Sequence, residues 1–160
     1  QSGIPVVYSG DEVGRFNDYT YHDDPDKRED SRYIHRGAFQ WEEAERRNDP
    51  DTRQGRLFQG LRRLEALRAG EPCFEARANV QVEDSGDYRV LALCRRMEGR
   101  ELVCLFNFSG DFVRAHINRD GPYTELMYGT KHDGLRDVEL WPNGFAWLLR
   151  EPDGPETEAH

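Results

Sequence analysis

The chain has no long apolar run. Nothing in its 160 residues approaches the roughly 20 consecutive apolar positions that a membrane-spanning helix needs. No basic segment leads into an apolar one, so no signal peptide is visible. The sequence opens on Gln1 rather than Met, so the natural start is expected to lie upstream. An excess of positive charge is also missing: 31 Asp and Glu stand against 22 Lys and Arg, for a formal net charge of -9. That balance argues against a nucleic-acid backbone partner, which calls for a basic face, and against an anionic membrane surface. Cysteine is scarce. Cys73, Cys94 and Cys104 are odd in number and far apart, with no CxxC pair. Buried thiols in a reducing compartment, the cytoplasm, are expected. There is no internal repeat.

Metal-ligand patterns are absent as well. His22 and His35 have no ligand spacing with Cys or with another His. Asp23, Asp24, Asp26 and Asp30 give an Asp-x-Asp spacing, but the glycine and distal Glu of a calcium loop are missing. No metal and no cofactor are expected. What the chain does have is charge, 33% of residues against a usual value of roughly 25%. It also has 3 Trp, 7 Tyr and 8 Phe, enough rings for a packed core. An acidic protein of this kind is compatible with neutral ligands such as sugars.

Three stretches follow one another. Ser2 to Gly14 begins GIPVVYSGDEVG, and Ile4, Val6, Val7 and Tyr8 make a nearly continuous apolar run. Bounded by glycines, such a run suits a strand buried on both faces, as in a parallel sheet or barrel. It ends at Gly10-Asp11-Glu12, which puts carboxylates at the strand's C-terminal end. Residues 15–48 are rich in Asp, Arg, Tyr and His, and long for a loop inside a compact domain. Phe16, Tyr19, Tyr21, Tyr33, Phe39 and Trp41 argue against a plain linker. Tyr19, Tyr21, Tyr33, Phe39 and Trp41 can either stack on sugar faces or pack within the loop.

A helix follows. Asp49 is a good N-cap with Pro50 at the first helical position. Leu57, Leu61, Leu64 and Leu67 form one stripe, and Arg62, Arg63 and Arg68 fall late, where cations suit the dipole. Gly70 and Pro72 predict the stop. From Ala78 the period becomes two. Strands are predicted over Asn79–Val82, Tyr88–Arg95, Leu102–Phe108, Phe112–Ile117, Thr124–Tyr128, Val138–Leu140 and Phe145–Arg150, parted by turn signals that include Gly121-Pro122 and Pro142-Asn143-Gly144. This spacing predicts an antiparallel sandwich, with Trp141 and Trp147 in its core. Residues 152–160 are expected to be a disordered tail.

The segments GIPVVYSGDEVG, RNDPDTRQGRLFQGLRRLEALR and LVCLFNFS together resemble the α-amylase family of glycoside hydrolases. The first is similar to the family's eighth barrel strand, the second to the helix that closes the barrel, and the third to a strand of its C-terminal β-domain. GDEVGRFND, EDSRYIHR and RNDP are most similar to amylosucrases. The resemblance implies an α+β chain. Residues 1–72 would be the end of a (β/α)₈ barrel, comprising the last strand, a substrate loop and a helix. Residues 73–151 would be an antiparallel β-sandwich. It implies sucrose and α-glucan as partners in a longer enzyme, with the rest of the barrel required. It also implies a retaining mechanism that uses two carboxylates, supplied by strands upstream of Gln1. No catalytic residue is therefore expected in this chain, and the chain alone is expected to be inactive.

Arg32 and Arg36 are the expected substrate-binding residues. A guanidinium fork can hold adjacent sugar hydroxyls or fix a carboxylate. EDSR matches the amylosucrase pattern and puts Arg32 first. HRGAFQW is similar to a motif of related α-glucosidases and brings in Arg36. Both can equally pair with Asp24, Glu29 or Asp30 as solvated charges. Asp11 and Glu12 are expected to support the site by organising the loop. The alternatives for the chain are part of a sucrose hydrolase or α-glucosidase, a non-catalytic carbohydrate-binding or stabilising β-domain, or a truncated product without function.

Overall fold

A computed structural model describes residues 5–150. Ile4 and the expected tail at 152–160 lie outside the described residues. The chain forms two compact units, which part between Glu65 and Ala66. That division falls inside a helix, before the boundary expected at 72/73.

The second unit holds eight strands: β1 (Asn79–Glu83), β2 (Val90–Met97), β3 (Arg100–Asn107), β4 (Val113–Ala115), β5 (Asp120–Glu125), β6 (Lys131–Gly134), β7 (Val138–Leu140) and β8 (Phe145–Arg150). Six form one sheet in the order β1-β2-β3-β8-β5-β6, and β4 pairs with β7 in a second sheet. All the pairings are antiparallel. Alternate residues of both sheets close one core. Ala92, Cys94, Val103, Leu105 and Leu148 come from the large sheet, and Val113, Ala115, Val138 and Leu140 from the small one.

The other face of the large sheet is apolar too. Leu93, Leu102, Cys104 and Leu149 pack with Cys73 and Phe74 of a short 3₁₀ turn. Apolar residues on both faces explain why β2 and β3 read as nearly unbroken apolar runs. Arg95, only 2% exposed, joins the turn to the sheet. It donates through Nε to the Cys73 carbonyl and through Nη2 to the Glu75 carbonyl at 3.0 Å. Burial pushes all three thiols up to about 12, which leaves them protonated and unreactive.

Several sequence expectations need correction. The strand expected over Ile4–Tyr8 is not formed at Pro5–Tyr8, where Val6 is 87% exposed, because among the described residues no neighbouring strand takes its hydrogen bonds. Gly121-Pro122 is not a turn but lies inside β5, where the register shifts between Asp120 and Tyr123. Gly121 takes φ 104 there, a conformation open to glycine at a bulge. β5 consequently ends at Glu125, not Tyr128. β6 was not anticipated: it is a polar edge strand, KHDG, without apolar alternation. Trp141 is not core but 74% exposed.

The first unit comprises four 3₁₀ turns (Asp11–Val13, Thr20–Asp23, Ser31–His35 and Arg46–Asn48), helix α1 (Trp41–Glu45) and the start of helix α2 (Arg53–Gly70). The cap of α2 is Thr52 rather than Asp49: its Oγ1 accepts from Gly55 N at 3.0 Å. Asp49 and Pro50 instead form the preceding turn, closed by Thr52 N donating to Asp49 O at 3.2 Å. Pro50 at the second turn position and an extended Asp49 before it fit proline's demands.

Candidate functional site

The acidic loop is ordered by its own aspartates. Asp18 accepts from the Thr20 amide at 2.9 Å and from its hydroxyl at 2.6 Å. Asp24 accepts from the Asp26 amide at 3.0 Å and pairs with Lys27 at 2.6 Å. Asp30 accepts from the Arg32 amide at 3.0 Å. Each Asp thus closes a local turn through a backbone amide two residues on, the Asx-turn chemistry that favours Asp here over helix or strand.

This arrangement bears directly on the two arginines. Arg32 grips Asp30 with a two-pronged fork, Nε to Oδ1 and Nη2 to Oδ2, both 2.7 Å. The Arg32 side-chain and backbone hydrogen bonds, in that order, hold the Asp30 carboxyl down to about 2. Arg36 differs. Among the described residues its guanidinium makes no hydrogen bond. It lies 5.5 Å from the centroid of the Tyr33 ring and adds to the positive field on Asp30. Arg36 therefore has donors free for a ligand, while Arg32 spends its fork on its own loop.

Glu12 accepts from the Gly10 amide at 2.7 Å and stabilises the turn after Tyr8. Gly10 there has φ 100, and a Cβ would come within 2.9 Å of the Arg15 side chain. Asp11 is exposed and lines a recess of about 300 Å³ with Tyr8, Ser9, Arg15, Asn17 and His35. The Tyr8 and His35 rings meet edge-on at 5.8 Å.

A larger cavity, about 580 Å³, opens among Arg15, Phe16, Phe39, Glu43, Arg53 and Gln54. Arg15 donates to the Gly37 carbonyl, Gln54 donates to Glu43 at 2.7 Å, and the Arg53 guanidinium sits 3.9 Å from the Phe16 ring centroid. Neither Arg32 nor Arg36 lines either space. Sequence reasoning missed Arg15, Glu43, Arg53 and Gln54, and placed His35 only as a loop residue. The helix pattern around Gln54 gave no sign that it would be buried.

Chemically, these spaces mix cations, amides and rings and suit a neutral polyhydroxy ligand. They hold no carboxyl pair set apart for acid and base roles. Asp18 is held below its ordinary pKa, chiefly by the Thr20 hydroxyl, and Glu43 is engaged by Gln54 and Arg46. Among the described residues no group of three or more His, Cys, Asp and Glu side chains could hold a metal. No helix among them is long and apolar enough to cross a membrane.

Part of the fold is shared with AmyP. A structure of an AmyP variant in complex with maltotriose superposes with TM-score 0.58 over 66% of this chain, at 20% identity. A second, of AmyP in complex with maltose, gives 0.54 over 66%, at 23% identity. The matches span only 23% and 22% of those chains, so this chain corresponds to less than a quarter of AmyP's length. No family model matches the sequence.

Proposed function

We propose that this chain is the C-terminal part of an α-amylase-family enzyme of the amylosucrase kind, a retaining glucosyltransferase that takes glucose from sucrose and adds it to an α-1,4-glucan. One observation carries the reading: the loop sequence EDSRYIHR…ERRNDP is followed, after helix α2, by a β domain with the fold of part of AmyP. AmyP's complexes with maltotriose and maltose support α-linked glucose as the ligand class. In this reading, residues 5–65 contribute the substrate-side loop. Arg36 offers its free donors to the sugar, Asp11 lines the smaller recess, Glu12 holds the turn after Tyr8, and Arg32 with Asp30 braces the loop. The carboxylates that form and break the glucosyl–enzyme bond belong to the remainder of the barrel. The β domain stabilises that barrel and carries no chemistry.

The test is to give the complete protein that carries this sequence either sucrose or maltose as the sole sugar. Fructose release from sucrose is expected, with none from the 160-residue chain alone. Cleavage of maltose with sucrose untouched would make the enzyme an α-glucosidase and overturn the sucrose assignment.

A further inference from the structure

The acidic loop of the first unit is closed at its base by Arg15 and Asp18. Arg15 donates through Nη2 to the Gly37 carbonyl and, at 3.5 Å, to that of Ala38. The Asp18 amide donates to the Ile34 carbonyl at 2.8 Å. Among the described residues, these are the hydrogen bonds that cross the base of the loop. Bringing two such distant segments together costs chain entropy. The loop's aspartates bond only to amides two residues on, which shapes turns but does not fix the loop on the unit. The base contacts therefore decide where the loop stands.

Arg15 is prepared for this contact. Its amide donates to the Gly10 carbonyl at 2.9 Å, and Gly14 before it takes φ 64, a conformation that favours glycine. Among the described residues its guanidinium makes hydrogen bonds to carbonyls alone, both from the 37–38 segment. A charged donor makes such a bond stronger than an amide would. Gly37 is suited to receive it, since a Cβ there would overlap the Asp18 carboxylate. Gly37 also directly follows Arg36, whose amide closes the preceding 3₁₀ turn on the Tyr33 carbonyl at 3.0 Å.

We propose that Arg15 is the positioning residue of this loop: its grip on the Gly37 carbonyl fixes the backbone that carries Arg36, and so aims the Arg36 guanidinium at the sugar, a role that rests on the function proposed above. The Arg36 side chain is exposed and free to turn, so what the grip supplies is the place of its backbone. A misplacement of about 1 Å can cost roughly a hundredfold in rate. Arg15 lines both spaces of the unit, whereas Arg36 lines neither. An effect through Arg36 and a direct touch on the ligand are therefore distinct, and a double-mutant cycle separates them.

The test is that cycle in the complete protein, run on whichever of sucrose and maltose it cleaves, with amide exchange as a readout that needs no sugar. Arg15→Met should lower kcat/KM by about tenfold, with an unchanged melting temperature. In an Arg36→Ala background the same substitution should cost less than about twofold, because its effect runs through Arg36. The Asp18 and Arg36 amides, bonded to Ile34 and Tyr33, should exchange faster. Gly37→Ala, which forces Asp18 away from the base, should reproduce both effects. Equal losses in the two backgrounds would mean that Arg15 touches the ligand itself, and overturn the proposal. Arg15→Met activity within about twofold of the unsubstituted enzyme overturns it too, as does a loss that tracks a lowered melting temperature. Cleavage of maltose alone sinks the sucrose assignment and leaves the cycle readable. If neither sugar is turned over, the proposed function fails and exchange alone decides the grip: unchanged rates at both amides overturn it.

Discussion

Arg96 on β2 and Glu101 on β3 face each other across the large sheet, and the guanidinium Nε donates to the carboxylate at 2.8 Å. The other carboxylate oxygen accepts from the Tyr123 hydroxyl at 2.6 Å, and Arg119 lies 3.6 Å from it. Glu83 extends the network, accepting from Arg119 at 2.8 Å. Four strands, β1, β2, β3 and β5, are thus tied by one group of charges. Burial pushes the Glu101 carboxyl up, but Tyr123, Arg96 and Arg119 together outweigh it and hold the group below its ordinary 4.5.

That direction sets a pH dependence. A carboxyl whose folded pKa is depressed adds stability above its unfolded value, and the gain is lost as pH falls through the folded one. Glu101→Gln should cost about 1–3 kcal/mol at pH 7, because Arg96 loses its nearest counter-charge and Arg119 the more distant of its two. The cost should shrink below pH 4.5. Urea denaturation at pH 7 and pH 3.5 checks this, and an equal cost at both would mean that shape rather than charge is lost.

The two ends of the chain should differ in amide exchange. Val6, Val7 and Tyr8 donate no backbone hydrogen bond among the described residues and are 87%, 49% and 56% exposed. Leu102 to Phe106 are paired on both sides, to β2 and β8. Their amides should stay protected for hours while those of Val6–Tyr8 exchange at once. Comparable protection in both segments would show that the N-terminal run has found a pairing partner.

Arg32 and Arg36 should separate in kinetics. Arg36→Ala in the complete enzyme should lower kcat/KM for sucrose by roughly tenfold to a thousandfold, about 1.4 to 4 kcal/mol of transition-state binding, with Lys restoring little. Arg32→Ala should cost less than about threefold, since its fork is spent on exposed Asp30 and such pairs contribute little. The reverse order would mean that Arg32 leaves Asp30 when substrate binds.

Much of the β domain was legible because burial writes itself into sequence. Leu102 to Phe106 and Phe145 to Arg150 read as strands since one or both faces must be apolar. Lys131–Gly134 was not legible: at the sheet's edge, backbone pairing alone makes the strand. The sequence reading placed the cap of α2 at Asp49, and the turn closed on Asp49 is what moves it to Thr52. Trp141 read as core because a pattern gives period, not exposure, and the Pro142-Asn143-Gly144 turn carries it past the sheet. In the loop unit, the sequence showed an acidic loop but not the turns closed by Asp18, Asp24 and Asp30, and that Asp30 would hold Arg32 rather than Arg36 depended on side-chain reach.

The central claim is glucosyl transfer from sucrose, and it is tested most directly by the balance of its products. As the complete protein consumes sucrose in the presence of glycogen, free fructose and free glucose are measured together. The account predicts fructose well in excess of glucose, with the missing glucose recovered as new α-1,4 linkages. Equal amounts of the two sugars would make the enzyme a hydrolase, and no fructose at all would contradict the assignment to sucrose.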